Sequence, residues 1–123
     1  MPVRSLTSSL MKWPDADQVK QFAQKWSDEV TSKHFDIIRI GYFGSYARGD
    51  WGVGSDLDMV LVVTDSKKPF ERRAAEWDLT AFPVPTDLLV YTQSEWRSLK
   101  EQPKFYQMLK KEAVWLYVKK KSN

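Results

Sequence analysis

The chain has no cysteine and a single histidine, His34. Disulfides, thiolate metal sites and the Cys/His centres of structural zinc are therefore excluded, and the lack of disulfides fits a reducing cytosol. The first residues lack a basic stretch followed by an apolar run, so no secretory leader is expected there. The longest aliphatic run, residues 57–63, is too short to cross a bilayer and is entered past Asp56 and Asp58. A cytoplasmic location is the expectation. No Gly-Lys-Ser/Thr follows a glycine loop, and no G-x-G-x-x-G opens a helix after a strand. Those absences remove the P-loop and the dinucleotide fold.

What is present is a foldable chain. At 123 residues with 42% hydrophobic and 14% aromatic content, it is expected to form one domain with a real core. Residues 1–12 show no clear period and are read as an arm or short helix. The net charge of +3 is modest. Part of it sits in a basic tail, residues 119–123, read as solvated or as a weak nucleic-acid contact.

Between these ends the periodicity alternates. Pro14 opens a helix with Asp15 and Gln18 as a capping pair, and Val19, Phe22, Ala23, Trp26 and Val30 form its apolar face. It is expected to end near residues 31–34, with His34 exposed in a linker. Residues 35–43 read as a first strand and 56–63 as a second. Pro69 starts a second helix facing inward through Phe70, Ala74 and Trp77, and residues 86–91 are a third strand. Thr92 and Glu95 form a capping box for a helix carrying Trp96 and Leu99, Pro103 restarts a short helix, and residues 113–118 make a last strand at a sheet edge. The order α-β-β-α-β-α-β predicts an α/β domain with a mixed sheet of about four strands and helices packed on it.

Topology then gathers the polar residues. Strands 2 and 3 are joined through a helix and should run parallel, while the short link between strands 1 and 2 favours an antiparallel pair. The end of strand 1 and the starts of strands 2 and 3 then share one edge, where Gly44, Ser45, Asp56, Asp58 and Asp87 converge. Three carboxylates without basic partners repel one another and persist when divalent cations neutralise them. Oxygen donors favour Mg²⁺ or Mn²⁺, and two acids at i and i+2 on a strand can bridge a metal pair that clamps an in-line phosphoryl or nucleotidyl transfer. Glycine at position 44 lets backbone approach a phosphate, the Ser45 amide and hydroxyl can donate to it, and Arg48 can neutralise a triphosphate tail. Asp50 is read as a loop or capping acid. Tyr46 and Trp51 are candidates for base stacking or, equally, for core packing.

Gly44-Ser45, ten intervening residues, then Asp56-Leu57-Asp58 resembles the G-S-x10-D-x-D signature of the DNA polymerase β-like nucleotidyltransferase superfamily. Gly44-Ser45-Tyr46-Ala47-Arg48-Gly49 resembles its minimal nucleotidyltransferase (MNT) branch, and Asp87 falls where that family has its third acid. The resemblance implies that Gly44 and Ser45 hold the β and γ phosphates of ATP. It implies that Asp56 and Asp58 hold two Mg²⁺ ions, and that Asp87 binds the catalytic ion and helps deprotonate the acceptor hydroxyl.

Larger enzymes of this kind carry an acceptor-binding domain for which this chain has no room. In the minimal branch the usual partner is a small helical HEPN protein, often a ribonuclease toxin, and the MNT acts as antitoxin by transferring AMP to a tyrosine of that toxin. The resemblance therefore implies a Mg²⁺-dependent protein adenylyltransferase acting in a homo- or hetero-oligomer. An antitoxin working mainly by binding, and transfer to a small-molecule or RNA hydroxyl, stay open as alternatives.

Overall fold

The computed structural model describes residues 14–120. The elements follow as α1 (Ala16–Lys33), β1 (Ile37–Phe43), a single turn α2 (Ser45–Arg48), β2 (Leu57–Val63), α3 (Phe70–Arg73), β3 (Thr86–Thr92), α4 (Gln93–Ser98), α5 (Pro103–Glu112) and β4 (Val114–Val118). Short 3₁₀ turns, Ala74–Glu76 and Leu99–Glu101, extend α3 and α4. The expected arm lies outside the described residues, as does the end of the basic tail. No described helix is long and apolar enough to cross a membrane.

The start of α1 is set by its first turn. The Gln18 amide donates to the Asp15 carboxylate at 2.8 Å, and the Asp15 amide donates to the Gln18 side chain at 3.0 Å. Two otherwise orphaned donors are thereby satisfied. At the far end the His34 amide donates to the Val30 carbonyl at 2.8 Å, and the chain turns extended. Val19, Ala23 and Trp26 recur at helical spacing and are buried against the sheet, while the Trp26 indole N–H reaches the Asp78 carbonyl at 3.1 Å. Burial of a side chain of valine size or larger contributes roughly 1.5–3 kcal/mol, and the methyl of Ala23 about 0.8 kcal/mol. That apolar stripe, more than helix propensity, holds α1 in place.

The sheet is mixed, in the order β3-β2-β1-β4, with β2 and β3 parallel and β1 antiparallel to both its neighbours. Leu57, Met59 and Leu61 join Ile40 and Tyr42 in the core under α1. Val60 and Val62, on the opposite face of β2, are equally buried. The segment from α4 to α5 lies on that second side, where Phe43 meets the Phe105 ring at 6.2 Å and Arg39 lies 5.6 Å from Trp96. Cover on both faces explains why β2 is a continuous aliphatic run rather than an alternating one.

Two local expectations change. β1 starts at Ile37, leaving Phe35 80% exposed. The helix after Pro69 lasts one turn before tightening, and of its expected inward residues Ala74 and Trp77 pack against the core whereas Phe70 does not. Phe70 is exposed, and Arg73 takes the buried position. Its guanidinium donates to the Lys68 and Val90 carbonyls at 2.8 and 3.1 Å and forks onto the Glu95 carboxylate. A buried charge is tolerable when paired and fully hydrogen-bonded in this way. Glu95 also caps α4 by accepting from the Thr92 amide at 2.8 Å, so one carboxylate ties α3 to α4.

Candidate active site

The site is built where β1 ends. Gly44 has φ 77° and ψ −151°, a region essentially restricted to glycine. This turn reverses the chain into α2, whose Ala47 and Arg48 amides donate to the Gly44 carbonyl at 3.0 and 2.9 Å. A methyl group at position 44 would strike the Asp58 carboxylate. Glycine is thus required twice, for the backbone angle and for the close approach to Asp58. Gly49, at φ 88°, closes the turn with its amide on the Ser45 carbonyl at 2.9 Å. The loop back to β2 is fastened by Ser55, whose hydroxyl accepts from the Gly52 amide at 2.8 Å.

Strand register brings the acids together. Asp58 pairs with Phe43 across β1–β2 and with Asp87 across β2–β3. The Leu57 amide donates to the Pro85 carbonyl at 2.8 Å, which fixes the start of β2 beside the start of β3. Asp56 immediately precedes the strand and is exposed. Among the described residues none of the three carboxylates has a hydrogen bond or ion pair. Asp58 is accordingly held above the usual carboxylate range, first by partial burial, then by repulsion from Asp87 and from Asp56, with Arg48 opposing.

Gly44, Ser45, Arg48, Asp56 and Asp58 line one cleft of ≈ 400 Å³. Asp87 stands beside Asp58 in register but is not part of the cleft lining. Phe43, Ser55, Met108 and Glu112 complete the walls. Met108 and Glu112 come from α5, and no local motif marked them; only the packing of that helix against the β1 corner brings them in. Arg48 differs from expectation. Its guanidinium is already engaged by Asp50 at 2.9 Å and Glu112 at 3.2 Å, and these bonds raise its pKa. Asp50 is therefore the exposed partner of Arg48. Tyr46 is fully buried and stacks on Trp51 with 5.6 Å between ring centres and 8° between planes, so it packs the core and is not available to a base.

Among the described residues no three or more His, Cys, Asp or Glu side chains stand close enough to cage a metal ion by themselves. The donor chemistry still fits Mg²⁺, which is ordinarily bound by one or two carboxylates together with substrate phosphates rather than by an all-protein cage. The unneutralised charge around Asp58 is what a hard cation would relieve.

Comparison with known proteins agrees with this geometry. Residues 19–116 match the family model described as a nucleotidyltransferase domain. No curated protein sequence matches the chain. Among solved structures, a protein from Sulfolobus solfataricus assigned as a nucleotidyltransferase aligns with a TM-score of 0.57 at 21% identity, covering 91% of this chain and 96% of that one. A toxin–antitoxin with AMP-PNP aligns with a TM-score of 0.56 at 18% identity, covering 79% of this chain and 74% of that one. A mutant of the toxin–antitoxin MntA–HpeT aligns at 0.53 and 16%, covering 78% and 72%. At these identities the structural likeness speaks for the fold alone, whereas the family match spans most of the sequence and includes every residue of the cleft. The chain belongs to the nucleotidyltransferase-domain family.

Proposed function

We propose that this protein is a Mg²⁺-dependent nucleotidyltransferase that moves AMP from ATP to a hydroxyl, most specifically a tyrosine of a partner HEPN ribonuclease toxin, and so acts as an antitoxin. The observation that carries the reading is the register that sets Asp87 beside Asp58, with Asp56 adjacent and the Gly44–Ser45 corner pressed against the Asp58 carboxylate. Solved toxin–antitoxin structures of the same fold, one with AMP-PNP, support the partner and the nucleotide.

In this reading the Ser45 hydroxyl and amide hold the β and γ phosphates, close to the backbone because residue 44 has no side chain. Arg48 exchanges its exposed partner Asp50 for a phosphate oxygen while Glu112 keeps it at the cleft wall. Asp56 and Asp58 would hold the Mg²⁺ ions, with Asp87 beside the catalytic one; when bound, these ions neutralise the acids and the charge on the attacking and leaving oxygens. Asp87 accepts the proton of the acceptor hydroxyl. The hydroxyl oxygen bonds to the α-phosphorus, the bond from that phosphorus to the bridging oxygen breaks, and pyrophosphate leaves.

The test uses the full chain, ATP radiolabelled at the α-phosphate, Mg²⁺ and a HEPN-type helical protein as the candidate acceptor. Label should appear on the partner, and it should vanish with EDTA or with Asp56→Ala/Asp58→Ala. Undiminished labelling by the double variant would overturn the assignment. If that variant abolishes labelling yet still protects cells from the toxin, binding rather than catalysis is the protective act.

A further inference from the structure

Strand β4 ends the sheet, and among the described residues no strand pairs with its outer edge; the one side-chain bond to its backbone is a long one, from Gln24 to the Leu116 carbonyl at 3.3 Å. It is five consecutive apolar residues, with Val114 and Val118 among the exposed large hydrophobics. An apolar edge with no strand beside it is a template for strand addition. Its surroundings are cationic, with Lys110 and Lys111 before it and Lys119 and Lys120 after it.

Beside Val118 in the register lies Arg39. Its guanidinium sits 4.6 Å from the Trp115 ring centre and 5.6 Å from that of Trp96. The arrangement depends on Gly41, because a methyl group there would come within 2.5 Å of Trp115. Among the described residues Arg39 has no hydrogen bond and no carboxylate, and its Nε is buried without a partner. Arg48 and Arg73, by contrast, are both paired with acids. A half-buried guanidinium set against a T-shaped pair of indoles and lacking an anion is an incomplete interaction.

We propose that the β4 edge is a docking site for an extended, acidic segment of a partner protein, which adds as a fifth strand and places a carboxylate on Arg39. A second copy of this chain is disfavoured, because antiparallel pairing of β4 with itself sets only apolar residues along the edge and supplies no carboxylate to Arg39. RNA is disfavoured because it has no backbone amides to match a strand edge. Arg39 pairs with Val62, four residues along β2 from Asp58, so this surface lies about 13 Å from the acids.

A random peptide library is selected on the immobilised full chain, without nucleotide, and the winning peptides are titrated in solution. Expected winners alternate apolar residues and carry flanking Asp or Glu. Their binding should weaken at least about tenfold with Arg39→Gln, a loss comparable to removing one desolvated charge partner, and recover in part with Arg39→Lys. The exposed change Val118→Glu should weaken it similarly with the thermal melt unchanged, which guards against a misfolded Arg39 variant. Winners without acids, equal binding by both variants, or no winners because residues 1–13 already cover the edge would each overturn the proposal. So would tighter binding of oligouridylate than of peptide, or a dimer that Val118→Glu dissociates. None of these readouts involves AMP transfer, so the result is independent of the proposed activity.

Discussion

Gly44→Ala puts the corner of the site to a quantitative test. Position 44 combines φ 77° with ψ −151°, and forcing alanine into that region costs of order 1–3 kcal/mol. The new methyl group also meets the Asp58 carboxylate. That atom is the tip of a rotatable side chain, so the fold relieves the clash by turning Asp58 off its rotamer, at about 0.5–1.5 kcal/mol. The two contributions separate in a double-mutant cycle. Gly44→Ala in the wild-type background should cost about 3 kcal/mol by urea denaturation. In an Asp58→Ala background it should cost about 1 kcal/mol less, because only the backbone strain remains. Melting should fall by roughly 10 °C in the first case. Activity should suffer more than stability does, since the displaced group is a proposed metal ligand. An equal cost in both backgrounds would show that Asp58 does not press on residue 44. A cost below about 0.5 kcal/mol would refute the strained corner altogether.

Two further expectations concern charge. Asp58→Asn keeps shape and removes one of three crowded acids, so it should stabilise the protein near neutral pH by about 1 kcal/mol while abolishing nucleotidyl transfer. Asp58 has its folded pKa raised, so the folded state binds the extra proton. The wild type gives up stability as pH rises from about 4, the unfolded value, through the elevated folded one, and the advantage of Asn should disappear below that window. Melting curves at acid and neutral pH measure this; an advantage that persists in acid would contradict it. Glu95→Ala should destabilise by about 2–4 kcal/mol, since it strands the buried Arg73 and uncaps α4 together. Glu95→Gln, which can still cap, should lose less than half as much by chemical denaturation; equal losses would mean that the ion pair, not the cap, matters there.

Much of the architecture was legible because its causes are local. The capping pairs Asp15/Gln18 and Thr92/Glu95 begin helices where side chains three residues apart can satisfy the same backbone donors. The run at 57–63 announces a strand covered on both faces, and the order of elements leaves a parallel β2–β3 pair and an antiparallel β1–β2 pair as the economical topology. In the segment after Pro69 the start of the helix and the inward Ala74 and Trp77 were legible. The burial of Arg73 was not, because a buried guanidinium there depends on Glu95, which lies 22 positions later.

The polar residues divide in the same way. Gly44, Ser45, Asp56, Asp58 and Asp87 could be named from spacing alone, since the chemistry of a phosphate corner and an acid cluster is written in residue type and interval. Whether they meet depended on register, a long-range property set by the pairing of Asp58 with both Phe43 and Asp87. Only tertiary packing brought Glu112 and Met108 to the cleft, bound Arg48 to Glu112, buried Tyr46 against Trp51 and left Arg39 against two tryptophans without an anion. Local chemistry needs only neighbours in sequence, whereas a side chain's partner across the fold is chosen by which elements pack together.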